Sequence, residues 1–333
     1  MTIHVRAPGR VNLIGDHTDY TGGMVLPMAI DRWTEIRGVR ADTISLRSDD
    51  EPTPADLELV IDDPHAIEPQ WAKYVAGVVA EMRPSSGVSG MVTTDIPIGA
   101  GLSSSAALEL AVALALGFDG DTLELAQLCR RAEIRASGVP CGIMDQLVIA
   151  AGVAEHALLI DCADLSIDPV AIPEDVEVVV EFVAHRTLAG SAYADRVAEC
   201  AAAESIIGPL RTATIDDVSA IPDPVVRARA GHVIGENLRV REFAKALASG
   251  ALDAAGDLMI ASHRSLRDLY ETSTPVMDSA VDALTARPGV YGARMTGGGF
   301  GGCVVALTRP GALTEGWRVR AVDGAHHVKD DDE

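Results

Sequence analysis

The segment Gly9-Arg10-Val11-Asn12-Leu13-Ile14-Gly15-Asp16-His17-Thr18-Asp19-Tyr20 constrains this chain more than any other feature. Its Val-Asn-Leu-Ile stretch belongs in a strand, yet it is bracketed by Arg10 on one side and by Asp16, His17 and Asp19 on the other. A fold that buries the apolar residues carries the charged ones inward with them, to the wall of a polar pocket. Ionised carboxylates only accept hydrogen bonds and alcohols donate them, so such a pocket suits a ligand with several hydroxyls. A charged hairpin edge would explain these residues locally. It would not explain two glycine-rich segments further along, which point to phosphate chemistry.

A chain of 333 residues is long for one hydrophobic core and comfortable for two. Hydrophobic residues make up 48% and charged residues 23%, as in globular proteins. Aromatics are only 4%, so the core must rest on Ala, Val, Leu and Ile. The net charge of −22 argues against nucleic-acid or anionic-lipid partners held by broad electrostatics. An anionic nucleotide would instead need local features: arginines, a metal ion or helix N-termini. The five cysteines form no CxxC pair, which disfavours a disulfide framework or a zinc site. The N-terminus lacks an apolar secretory core, and the apolar run Ala106 to Phe118 is interrupted by Glu109 and too short to span a bilayer. A cytoplasmic location and no membrane partner are expected.

The hydrophobic pattern predicts an α+β protein of two domains, divided in the polar stretch Asp164 to Asp175, which contains Pro169 and Pro173. The expected units are 1–172 and 173–328, with a charged, disordered tail at 329–333. Helices are predicted for Ser103 to Leu116 and Thr122 to Ala136. In the second half they are predicted for Ala189 to Ile207, Pro224 to Ser249, Ala251 to Tyr270 and Pro275 to Ala286. Strands are predicted at Leu158 to Ile160, Val176 to Val183, Ala293 to Met295, Cys303 to Leu307 and Trp317 to Val322.

The segment Pro97-Ile98-Gly99-Ala100-Gly101-Leu102-Ser103-Ser104-Ser105 runs into the first of these helices. Glycines let the backbone approach an anion, and the free amides of a helix start carry partial positive charge. A capped helix after an ordinary turn is the plain alternative. No Gly-Lys-Ser/Thr occurs, so this is not a Walker loop. In Gly138-Val139-Pro140-Cys141-Gly142-Ile143-Met144-Asp145-Gln146, an acid sits among apolar neighbours at the start of another helix. It reads either as a helix cap or as a carboxylate aimed at a substrate hydroxyl. The third run, Gly297-Gly298-Gly299-Phe300-Gly301-Gly302, satisfies a dinucleotide-type GxGxxG spacing. A strand follows it instead of a helix, which speaks against an oxidoreductase.

These segments together resemble the galactokinases, within the sugar and metabolite kinases called GHMP kinases. The resemblance implies a two-domain fold, an N-terminal ribosomal-protein-S5-like domain and a C-terminal ferredoxin-like α/β sandwich, with the active site in the cleft between them. It implies an ATP-dependent kinase of a sugar's anomeric hydroxyl, with galactose as substrate, Mg²⁺ as cofactor, and a monomer or weak homodimer as its state. Carried over by motif, Asp145 falls on the proposed catalytic base and Arg10 on the arginine beside it. Asp16, His17, Asp19, Gly142 and Tyr193 fall on sugar contacts. Gly99, Gly101, Leu102, Ser103, Ser104 and Ser105 fall on the ATP loop, Trp71 and Tyr74 on the adenine side, and Ser105 with Glu133 on the metal ligands. The glycine run at 297–302 falls on a loop near the active site, and His263 on a structural position. Two departures stand out: Asp16 replaces the commoner glutamate, and the first motif lies close to the start of the chain. Both leave room for a related aldose such as arabinose or a hexosamine. A catalytically inactive sugar sensor is the non-enzymatic alternative.

Overall fold

The computed structural model describes residues 2–185 and 189–329. The expected tail lies, beyond Lys329, outside the described residues. In chain order the strands are β1 Thr2–Asn12, β2 Met24–Val25, β3 Pro27–Ala41, β4 Ile44–Ser48, β5 Ala55–Leu57, β6 Gly87–Thr94, β7 His156–Asp161, β8 Ser166–Ala171, β9 Glu177–Ala184, β10 Val290–Thr296, β11 Gly302–Thr308, β12 Trp317–Val319 and β13 His326–His327. The α-helices are α1 Ala72–Met82, α2 Ser104–Ala115, α3 Thr122–Ser137, α4 Met144–Ala151, α5 Ala189–Ile207, α6 Pro224–Ala248, α7 Leu252–Ser265 and α8 Pro275–Thr285. Three sheets result, with orders β13-β1-β3-β6-β4-β5, β10-β11-β9-β12 and β2-β7-β8.

In the first sheet β1 lies between β13 and β3. Its antiparallel pairing with β3 slips between Pro8 and Gly9. Such a bulge re-aims the following side chains, and Arg10 is one of them. A Cβ at Gly9 would lie 2.9 Å from the Leu102 carbonyl oxygen, so only glycine lets the glycine-serine loop rest on β1. The Arg10 amide donates to that same carbonyl at 3.1 Å.

Helix α2 lies against this sheet. Every residue from Ala106 to Ala115 is buried, including Glu109. A helix apolar all round belongs in a core, and its five alanines allow close packing where aromatics are scarce. Helices α1 and α3 approach equally closely, since a Cβ at Gly77 would lie 2.5 Å from the Ala132 carbonyl oxygen. Helix starts follow the capping chemistry in the sequence. Asp121 and Glu124 form a reciprocal capping box on α3, Asp223 caps α6 before Pro224, and Thr274 caps α8 before Pro275.

Three expectations require correction. The polar stretch around Pro169 is largely a strand, β8, paired with β7 along its length. Proline is tolerated there because β8 is an edge strand. The helix expected over Ala251 to Tyr270 ends at Ser265 and continues as a π-type turn, Leu266–Tyr270. Finally, the end of the chain returns to the first sheet. Ala321 bridges Ile30, and His326 and His327 pair with Arg6 and Val5 of β1. Residues assigned by sequence to the second unit thus complete the first.

Candidate active site

A cavity of about 530 Å³ opens between the β1 end of the first sheet and the β10–β11 hairpin of the second. Arg10, Asp16, His17, Asp19, Tyr74, Ser105, Glu133, Gly142, Asp145 and Tyr193 line it, with Gly297 to Gly299 beside Asp16 and Tyr193. Segments far apart in sequence therefore meet in one space.

Asp145, second residue of α4, does not cap its helix; Ile143 is the N-cap and makes no side-chain cap bond. Its carboxylate instead receives two parallel hydrogen bonds from Arg10, Nε to Oδ1 at 2.8 Å and Nη2 to Oδ2 at 2.7 Å. The third nitrogen of Arg10, Nη1, donates to the Gly101 carbonyl at 2.7 Å. The Ser103 hydroxyl donates to Asp145 Oδ2. Ser103 stands at the N-cap of α2 in the left-handed region, φ 63°, and Gly99 and Gly101 also have positive φ. Bidentate charged pairs are among the more rigid side-chain contacts, so Arg10 fixes an acid and the glycine loop at one distance. Of the loop residues only Ser105 is on the cavity wall; Gly99, Gly101, Leu102, Ser103 and Ser104 are not, and Leu102 is buried with its carbonyl facing β1.

Asp16 is buried, and both carboxylate oxygens meet donors from the β10–β11 hairpin. Arg294 Nη2 lies 2.5 Å from Oδ2, and the Gly297 amide donates to Oδ1 at 2.8 Å. His17 adopts φ 66° and pairs with the Tyr20 hydroxyl through Nδ1 at 3.1 Å. Its ring packs against Tyr193 and Tyr270, with centroids 5.3 and 4.9 Å away. Asp19 lies directly against Gly142, where any Cβ would overlap its carboxylate. Burial, reinforced by the charge of Asp145, pushes the Asp19 carboxyl up to about 6.

A second group of acids lies behind the glycine loop. Ser105 donates to Glu133 Oε1 at 3.1 Å, and the Gln146 amide bonds Glu133 Oε2 and, at 3.3 Å, Glu109 Oε2. Burial and the nearby Asp145 charge raise Glu133 to about 7, and burial with the Glu133 charge raises Glu109 well above the usual range. A hydroxyl and a carboxylate that share a hydrogen bond at a cavity wall are hard oxygen donors of the kind Mg²⁺ takes. Burial beside Asp145 makes Glu133 reluctant to ionise despite Arg10, and a bound cation would offset that charge. The residues therefore fit the metal. The raised pKa of Glu133 has a testable sign. The folded protein holds the Glu133 proton more tightly than the unfolded chain, so this group favours folding most below the ordinary carboxylate range. That contribution is lost as pH rises from about 4.5 to about 7. Glu133→Gln is expected to flatten the metal-free stability curve across this window by up to about 3 kcal/mol, read as urea midpoint against pH. An unchanged slope would place the effect elsewhere.

Trp71 and Tyr74 separate. Tyr74 lines the cavity, and burial beside Glu133 raises its hydroxyl to about 12. Trp71 is off the cavity wall; its indole N–H donates to the Thr53 carbonyl at 2.9 Å and its ring joins the core. Of the two rings that the resemblance assigned to the adenine side, only Tyr74 is on the cavity wall. Lys73 and Gln70 line the wall beside Tyr74, and His65 is held there by the Ala136 carbonyl at 3.0 Å. Sequence reading passed over Gln146 and Arg294. A lone amide in the apolar run Met144 to Ile149, and a lone arginine inside a buried strand, were the available signals. His263 is structural as expected: Nδ1 accepts from the Met295 amide at 3.3 Å and Nε2 lies 3.2 Å from Asp278. The glycine run closes a β-hairpin between β10 and β11 and opens no helix.

Comparison with known proteins accords with this geometry. The family model for the galactokinase galactose-binding signature matches residues 2–37. Those for the GHMP kinases N terminal domain and GHMP kinases C terminal match residues 72–153 and 243–318. The galactokinase of Chloroflexus aurantiacus is 43% identical over 95% of this chain and 88% of its own length. That of Homo sapiens is 42% identical over 94% and 86%. The crystal structure of Lactococcus lactis galactokinase complexed with galactose superposes with a TM-score of 0.91 at 29% identity, covering 98% of this chain and 95% of that one. Methanococcus jannaschii mevalonate kinase, at TM-score 0.67 and 22% identity over 97% and 99%, shares the fold alone. The α+β architecture is thus that of the GHMP kinases, and the chain belongs to the galactokinase family.

Proposed function

We propose that the protein transfers the γ-phosphoryl group of ATP to the anomeric hydroxyl of galactose, giving galactose 1-phosphate. One observation carries this reading: the bidentate Arg10–Asp145 pair joins the glycine-serine loop to the cavity holding His17, Asp19 and Tyr193. Acid, anion-binding loop and hydroxyl-binding residues then share one acceptor position. In this scheme Asp145 takes the proton of the sugar hydroxyl as its oxygen attacks phosphorus. Arg10 keeps the carboxylate oriented and offsets the negative charge that gathers on the transferred group. The free amides at the start of α2 receive the phosphates, with Lys73 and Tyr74 beside them on the nucleotide side. Ser105 and Glu133 would hold Mg²⁺, which neutralises charge on the phosphates when bound.

Asp16, His17, Asp19 and Tyr193 form the sugar side. Gly142 contributes by leaving room for Asp19 rather than by contact of its own. The intact set Arg10, Ser105, Glu133 and Asp145 supports an enzyme over a non-catalytic sensor. Among the described residues no helix is long and apolar enough to cross a membrane. ATP and the sugar are the proposed partners, in the cytoplasm, with a monomer or weak homodimer as the working state. Turnover measured with ATP and Mg²⁺ across galactose, arabinose, hexosamines, mevalonate and homoserine tests the reading. Galactose should give the highest kcat/KM. A higher value for a non-sugar acceptor would overturn it.

A further inference from the structure

We infer that Arg294, a residue outside the motifs that carry the proposed chemistry, is a positioning residue for sugar recognition: it fixes the Asp16 carboxylate at the cavity wall by a buried ion pair across the two sheets. The inference rests on the proposed sugar kinase reading. Arg294 is completely buried in β10. Its Nη1 donates to the Leu13 carbonyl at 3.2 Å, and its Nη2 lies 2.5 Å from Asp16 Oδ2 and 4.0 Å from Glu236 Oε1. The same strand end supplies the Gly297 amide for the other Asp16 oxygen, and Thr296 Oγ1 donates to the Asn12 carbonyl at 2.9 Å. Everything that orients Asp16 from the second sheet therefore comes from four consecutive residues. Oδ2 is enclosed beside Arg294, while Oδ1, bonded to the Gly297 amide, keeps a lone pair, and Asp16 lines the cavity.

The arrangement solves a physical problem. A carboxylate buried without a counter-charge takes up a proton, and a protonated Asp16 would donate where it must accept. Burial does raise Asp16, and Arg294 is the largest influence opposing it. The other charged and titratable groups around it are accounted for. Arg10 on β1 also favours the ionised form, and Asp19 and His17 flank it in sequence. From α6, His232 bonds the Asp16 carbonyl and is held neutral by burial down to about 4. Glu236 is also on α6. It stays ionised down to about 2, with Arg239 at 2.7 Å and the Ser262 hydroxyl and Gly15 amide as partners. His263 on α7 faces Arg294 and is held down to about 4. Asp19, raised to about 6 by burial, titrates near neutrality.

The test compares wild type, R294K, R294M and D16N/R294M for sugar KM, ATP KM and kcat across the neutral pH range, with calorimetric sugar binding in the absence of ATP. R294M is expected to raise the sugar KM by roughly 10- to 100-fold with little change in ATP KM. It should also weaken sugar binding further as pH falls, beyond the Asp19 limb that wild type shares. D16N/R294M should bind weakly but without that added limb, because the titrating acid is gone. R294K, which keeps the charge but not the fork to Leu13 and Asp16, should lose less sugar affinity than R294M and keep the wild-type pH profile. If R294M does not fold, R294K and the charge-neutral double variant decide the matter. Wild-type sugar affinity in either methionine variant, or ATP and sugar KM rising together, would overturn the inference. Wild-type enzyme that binds no sugar and turns over another acceptor would instead overturn the proposed function.

Discussion

Asp145→Asn is expected to lower kcat on galactose by roughly 10²- to 10⁴-fold, with far smaller changes in both KM values. The substitution is isosteric. Arg10 keeps its bond to the Gly101 carbonyl, and Ser103 and Arg10 can still bond the amide oxygen. What disappears is a carboxylate able to take a proton, together with half of the bidentate pairing. Losing a charged partner beside a buried guanidinium costs about 1–3 kcal/mol of stability, so the variant should fold and melt a few degrees earlier. Steady-state kinetics on the purified variant, with circular dichroism to show retained structure, checks this. A folded variant with near-normal kcat would remove Asp145 from the reaction.

Gly142→Ala is the second large effect. The only added atom would overlap the Asp19 carboxylate. Asp19 is a short side chain in the turn Asp19–Thr21, so it yields only by moving that turn or the loop Gly138 to Ile143. The loop is tied down by Arg130, whose Nε donates to the Cys141 carbonyl at 3.1 Å. Because the loop leads directly into α4, displacement carries Asp145 with it. A misplacement near 1 Å costs on the order of 10²-fold in rate, and the expected result is a loss of that size in kcat/KM for sugar. ATP KM should change less, since the added atom meets Asp19 and not Tyr74, Lys73 or Ser105. Equal loss for both substrates would indicate general unfolding, and an unaffected sugar kcat/KM would show that Asp19 has room the structure does not display.

Much of this was legible in the sequence because the relevant signals are local. Three serines after a glycine turn mark the start of α2, and the Gly120-Asp121 start of α3 carries its own cap. The alternation of apolar and charged residues from Gly9 to Tyr20 betrays a strand that delivers polar groups inward. Asp145 was ambiguous until the structure showed its carboxylate bonded to Arg10 and Ser103 and not to helix amides. What sequence could not yield depends on distant partners. Arg294 reads as one charge in a strand, and only the approach of β10 to β1 makes it the counter-ion of Asp16. Gln146 reads as a helix residue until Glu109 and Glu133, from two other helices, converge on its amide. Trp71 was assigned to a nucleotide by resemblance, whereas its i, i+3 spacing with Tyr74 fitted the core packing it has. The return of β13 to β1 depends on a path of more than 300 residues and leaves no local trace.

The central claim is that Asp145, Arg10 and the α2 amides direct phosphate onto the anomeric oxygen. Phosphorus NMR of the product formed from ATP and galactose labelled with ¹³C at C1 measures this directly. The account predicts a single sugar phosphate whose phosphorus couples to the labelled carbon, formed by wild type and nearly absent with Asp145→Asn. Phosphate on any other carbon, or ADP released without a sugar phosphate, would contradict it.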